Sequence, residues 1–106
     1  MAAQTVTHHD IKFNSKMLEK FCLKNSIKKL SIYGSVLRDD FSPESDIDVL
    51  VEFMPEEQIT LFHIIDMEEE LSGIFGGRKV DLRTPEDLSR YFRERVVAEA
   101  EVHFAR

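Results

Sequence analysis

Apolar and polar positions change their period several times along the chain. From Ile11 to about Asn25 they recur at helical spacing, with Met17, Leu18, Phe21 and Cys22 on one stripe and Lys16, Glu19, Lys20 and Lys24 opposite. That pattern predicts an amphipathic helix. Leu30 to Tyr33 is then a short apolar strand that runs into Gly34-Ser35. From Asp46 to Phe53 the period is two: Ile47, Val49, Val51 and Phe53 face one way, Asp46 and Asp48 the other, as successive side chains do on a strand. Met54-Pro55-Glu56-Glu57 breaks this strand, because proline fixes φ and lacks a donor. Ile59 to Phe75 predicts a second helix, lined by Leu61, Ile64, Ile65, Met67, Leu71 and Ile74 and stopped by Gly76-Gly77. Lys79 to Arg83 predicts a third strand, with Val80 and Leu82 on one face and Asp81 on the other. Thr84-Pro85-Glu86-Asp87 then carries helix-start signals, and Leu88, Phe92, Val96 and Val102 extend a helix to about Phe104. Residues 1–9 are expected to be disordered.

These elements predict an α+β chain: a small mixed sheet of three strands, with a fourth allowed, and helices packed on one face. A length of 106 residues suits one domain with one modest core, in which eight Phe supply bulk in the absence of Trp. The single Cys22 cannot form an internal disulfide, and its place on the apolar stripe reads as core filling. A cytoplasmic protein is expected: the N-terminus lacks a signal-peptide pattern, and no apolar run approaches the ~18 residues of a membrane helix. The net charge is −6, with a pI near 5.2. An acidic chain is a poor non-specific binder of long nucleic acid. The balance points to a nucleotide with a protein or small-molecule acceptor.

Charge changes the picture most at Asp46 and Asp48. On one face of a strand they stand ~6.6 Å apart, at ~3.3 Å rise per residue. Like charges so placed repel, and a hard divalent cation such as Mg²⁺ or Mn²⁺ removes the conflict. Gly34 permits a sharp turn and a close backbone approach. Ser35, just after a strand, offers a hydroxyl and nearby N–H groups to a phosphate. A phosphate cradle beside a metal pair suggests chemistry on a nucleoside triphosphate. Asp81 joins the same open face if Val80 and Leu82 are core; otherwise it is a surface carboxylate. Arg38 suits either a triphosphate or the acidic loop around it, and Asp40 suits a loop-fixing role. The plain readings hold elsewhere: His8-His9 as exposed polar residues, Glu68-Glu69-Glu70 as a solvated face, His63 with no chemistry. Arg90, Arg93 and Arg95 read as a face paired with Glu94 and Glu99, and Tyr91 and Phe104 as partly exposed residues open to an interface.

Gly34-Ser35, ten residues, then Asp46-Ile47-Asp48 resembles the signature of the DNA polymerase beta-like nucleotidyltransferase superfamily. The likeness extends to its smallest members, the minimal nucleotidyltransferases (MNT), whose pattern is GSxARGDxxxxSDIDLLVEF. This chain matches it at Gly34, Ser35, Arg38, Asp40, Ser45, Asp46, Ile47, Asp48, Leu50, Val51, Glu52 and Phe53, while Asp39 stands where the family usually has Gly. The resemblance implies the nucleotidyltransferase fold and transfer of AMP from ATP with Mg²⁺ or Mn²⁺. It implies that Asp46 and Asp48 hold two ions, that Asp81 binds the ion serving the acceptor hydroxyl, and that Ser35 with the Gly34 backbone orients the phosphates. Short MNT chains also resemble the antitoxin half of HEPN/MNT toxin–antitoxin pairs. That implies a tyrosine hydroxyl of an HEPN toxin as acceptor and allows a homo- or hetero-oligomer. Three readings stay open: a protein adenylyltransferase antitoxin, a non-catalytic antitoxin that masks its partner by contact, and a small-molecule nucleotidyltransferase of the aminoglycoside-modifying type. The carboxylate set argues against the second and the lack of an acceptor domain against the third.

Overall fold

The computed structural model describes residues 5–8, 11–34 and 46–106. In chain order these form strand β1 (Thr5–His8), strand β2 (Ile11–Asn14), helix α1 (Ser15–Lys24), strand β3 (Ile27–Tyr33), strand β4 (Ile47–Phe53), helix α2 (Leu61–Ile74), strand β5 (Val80–Arg83), a 3₁₀ turn (Pro85–Asp87), helix α3 (Arg90–Glu99) and strand β6 (Glu101–Ala105). β1 and β2 pair as a separate antiparallel ribbon. The main sheet has the order β5-β4-β3-β6, in which only β4 and β5 run parallel. A parallel pair needs a crossover of a dozen residues or more, and α2 supplies it.

Register aligns the apolar rows. Leu30 and Ile32 of β3 sit opposite Val51 and Val49 of β4, and Ile47 and Val49 lie beside Val80 and Leu82 of β5. All seven are buried, and they meet Leu18, Phe21 and Cys22 of α1 and Met67 and Leu71 of α2 in one core. One sheet face is therefore committed to the helices. Alternation sends Tyr33, Asp48 and Asp81 to the other face, where Asp48 lies between its two register partners.

Three local expectations are corrected. Ile11–Asn14, expected as the first turn of α1, is a strand paired with Thr5–His8. Thr and Val at 5–7 and Ile11 with Phe13 favour extended backbone. The helix begins only at Ser15, because the Asn14 side chain accepts from the N–H groups of Lys16 and Met17, at 2.9 and 3.1 Å. At the other end, the helix expected to reach Phe104 stops at Glu99, and the chain returns as β6. Phe104 then lies opposite Leu30 and packs against the core, and β6 satisfies the free edge of β3. This is the fourth strand that the sequence allowed. On α2, finally, only Met67 and Leu71 are buried, while Leu61 and Ile65 are 72% and 50% exposed. A helix touches the sheet along a narrow stripe, and these two fall on its flank.

Candidate active site

β4 positions the site. Its core row pins the register, so Asp48 cannot leave the open face without taking Ile47 and Val49 out of the core. Asp81 is held the same way by buried Val80 and Leu82. Because β4 and β5 pair in register, the backbones of Asp48 and Asp81 stand about 4.8 Å apart, the spacing of neighbouring strands. The Ile47 N–H donates to the Lys79 carbonyl at 2.8 Å. Asp48 and Asp81 thus share one face, Asp46 lies one residue beyond the strand end, and all three residues are partly exposed.

Cations stand beside two of them. Arg83 Nε donates to Asp81 Oδ2 at 3.1 Å, and Lys79 Nζ is 3.9 Å from Asp46 Oδ2. The hydrogen bond to Asp81 pushes the Arg83 guanidinium above its usual value. Tyr33 occupies the same electrostatic neighbourhood. Burial, then the charges of Asp48 and Asp81, push its phenol up to about 12, with Arg83 acting against them. At neutral pH Tyr33 is therefore an uncharged neighbour of the carboxylates.

Gly34 closes β3 against Asp48. Its φ is +80°, and a Cβ built there would overlap the Asp48 carboxylate. Only glycine offers both the left-handed backbone and the missing side chain. The structure thus gives a physical reason for Gly34. Ser35 and Arg38, the other predicted nucleotide contacts, lie outside the described residues, as do Asp39 and Asp40.

As the side chains stand, no three His, Cys, Asp or Glu groups among the described residues form a metal-holding cluster. The fit to a divalent cation comes from the donor chemistry and the backbone placement. Two carboxylates, Asp48 and Asp81, share a face with Asp46 one residue beyond the strand end, and hard oxygen donors of this kind suit a divalent cation. Turning Asp81 and Asp46 inward would break two partly exposed ion pairs, each worth only ~0–1 kcal/mol.

Sequence reasoning passed over Tyr33 and Arg83. A strand-end tyrosine carries no motif, and Arg83 is visible only once Asp81 is seen two residues earlier on the same face. The basic cluster on α3 resolves into separate tasks. Arg93 donates to the carbonyls of Pro85, Glu86 and Leu88 at 2.7, 3.3 and 3.1 Å, tying α3 to the 3₁₀ turn. Arg95 pairs with Glu99 at 3.2 Å, and Arg90 lies over the Tyr91 ring. His63 also has a local role, accepting from the Thr60 N–H at 3.1 Å in the box that starts α2.

Residues 15–103 match the family model described as Nucleotidyltransferase domain. A Methanocaldococcus jannaschii protein, provisionally named a protein adenylyltransferase, is 35% identical over 78 residues, 74% of this chain and 81% of that one. Protein adenylyltransferase MntA of Thermococcus cleftensis is 33% identical over 73 residues, 69% of this chain and 71% of that one. In a solved complex of tri-AMPylated Shewanella oneidensis HEPN toxin with MNT antitoxin, one chain superposes with a TM-score of 0.61 at 17% identity. It covers 87% of this chain and 70% of its own length, a likeness of fold.

Proposed function

The chain belongs to the nucleotidyltransferase domain family, and from that premise we propose that it is a protein adenylyltransferase acting as an antitoxin. Its reaction moves AMP from ATP to a hydroxyl, a tyrosine phenol, of an HEPN-domain toxin partner. The names of the adenylyltransferase relatives and the AMPylated toxin of the Shewanella complex support this choice of donor and acceptor. The observation that carries the reading is the register of β4 and β5, which sets Asp48 beside Asp81 on the face away from the core. A strand pairing made for stability alone would avoid two like charges side by side.

In this reading the whole chain is one minimal nucleotidyltransferase domain. The acceptor oxygen forms a bond to the α-phosphorus of ATP, the bond to the bridging oxygen breaks, and pyrophosphate leaves. Asp81 sits at the acceptor side and takes the hydroxyl proton. Gly34, Ser35 and Arg38 orient the triphosphate through backbone N–H, hydroxyl and guanidinium. Asp46, Asp48 and Asp81 would hold Mg²⁺ or Mn²⁺, which would supply neutralisation of the charge on the phosphates. Tyr33, neutral at working pH, adds no further negative charge where the triphosphate arrives. The protein's contribution is positioning and electrostatics. Among the described residues no helix is long and apolar enough to cross a membrane.

The test is a mixture of the full chain, Mg²⁺, α-labelled ATP and the product of the neighbouring gene. Label on the partner, abolished by Asp46→Asn with Asp48→Asn, is the expected result. Label on neither protein, with the toxin still neutralised, would replace transfer by masking.

A further inference from the structure

Along the outer edge of β5, between that strand and the N-terminal half of α2, runs an open groove of about 530 Å³. One wall is apolar and includes Ile59, Leu61 and Ile65. Leu61 and Ile65 are 72% and 50% exposed, and Phe62 beside them is 80% exposed. So much apolar side chain on one turn of helix marks a surface meant to be covered. The other wall is acidic: Glu68, Asp81 and Asp87 line it, with Arg83 the only cation among the described lining residues. Glu68 is fixed in place, because its carboxylate accepts the Leu82 N–H at 2.8 Å. Asp87 is fixed too, accepting from the N–H and hydroxyl of Thr84, both at 3.1 Å. Both charges are tethered to backbone at the groove wall.

Asp81 belongs both to this groove and to the face that carries Asp48. The groove is therefore continuous with the candidate active site. We propose that it is the docking groove for the acceptor polypeptide: a partner segment seats apolar side chains on Leu61 and Ile65 and sets a cationic side chain against Glu68 and Asp87. That delivers its hydroxyl to Asp81, which rests on the AMP-transfer reading. Charge decides between a partner and a second copy of this chain. With a net charge of −6 and an acidic wall here, two copies meeting through the groove would bring like charges together, whereas a basic segment is attracted and steered in.

The test separates docking from chemistry. Affinity for the product of the neighbouring gene is measured by calorimetry without nucleotide, for the wild type, for Leu61→Ser with Ile65→Ser, and for Met17→Ser. Met17 is a control, 50% exposed on α1. The double variant is expected to bind at least tenfold more weakly, the control within twofold of wild type, and wild-type affinity is expected to fall as salt rises. Unchanged affinity in the double variant, an equal loss in the control, no wild-type binding, or no dependence on salt each overturns the proposal. So does a wild-type homodimer that the double variant converts to monomer. Normal, Leu61-dependent binding without AMP transfer would instead remove the transfer reading and leave the groove standing.

Discussion

Replacing Gly34 by Ala puts a methyl group where the Asp48 carboxylate now lies. Two costs follow from the structure. The backbone at φ +80° is left-handed, which costs a residue with a Cβ ~1–2 kcal/mol. The overlap then forces either Asp48 to turn away or β3 to move off β4, and turning a partly exposed side chain is the easier route. Total destabilisation should be about 1–3 kcal/mol, which for a chain this size lowers the melting temperature by roughly 5–20 °C. A domain of ordinary stability, ~5 kcal/mol or more, remains folded at 25 °C after that loss. Activity should fall much further, because a carboxylate displaced by ~1 Å from its working position costs about 10²-fold. The assay is AMP transfer to the partner at 25 °C, run beside a thermal melt. A Gly34→Ala chain that melts lower yet transfers AMP within threefold of wild type would refute the reasoning, since Asp48 would then tolerate displacement.

Two further predictions concern buried protons. Tyr33 should ionise only near pH 12, so an absorbance titration should show a late tyrosine phase that Tyr33→Phe removes and that Asp48→Asn with Asp81→Asn moves to lower pH. Its folded value lies above the ordinary 10, so its contribution to stability is complete below pH 10 and is lost as pH rises toward 12; melts across that window should fall, and less steeply in Tyr33→Phe. Cys22, fully buried and pushed up to about 12, should resist thiol reagents at pH 8 in the folded chain and react at once when denatured; fast labelling of the native protein would contradict its place in the core.

The period-two run from Asp46 to Phe53 was legible because one buried face leaves a strand a single register. The same alternation placed Asp81 correctly from only Val80 and Leu82. What the sequence concealed lies where local propensity and tertiary pairing compete. Ile11 to Asn14 continues the apolar spacing of α1, and only the Asn14 cap shows that the helix starts later. Residues 101–105 continue a helical pattern, yet the unpaired edge of β3 draws them into β6. The apolar positions of α2 spread over about half the helix circumference, and the width of the sheet contact decides which are covered: Met67 and Leu71 are buried, Leu61 and Ile65 are not. The site's supporting groups are hidden for another reason: Tyr33 and Glu68 act through neighbours distant in the chain or across strands, Arg83 through Asp81 two residues before it, and no motif marks them.

The central claim is that residue 81 completes a cation site begun by Asp46 and Asp48. It is tested most directly by counting Mn²⁺ bound per chain, by electron paramagnetic resonance, with a non-hydrolysable ATP analogue present. About two ions are expected for the wild type, about one for Asp81→Asn and none held tightly by Asp48→Asn. An Asp81→Asn chain that binds the same number of ions with unchanged affinity would contradict it.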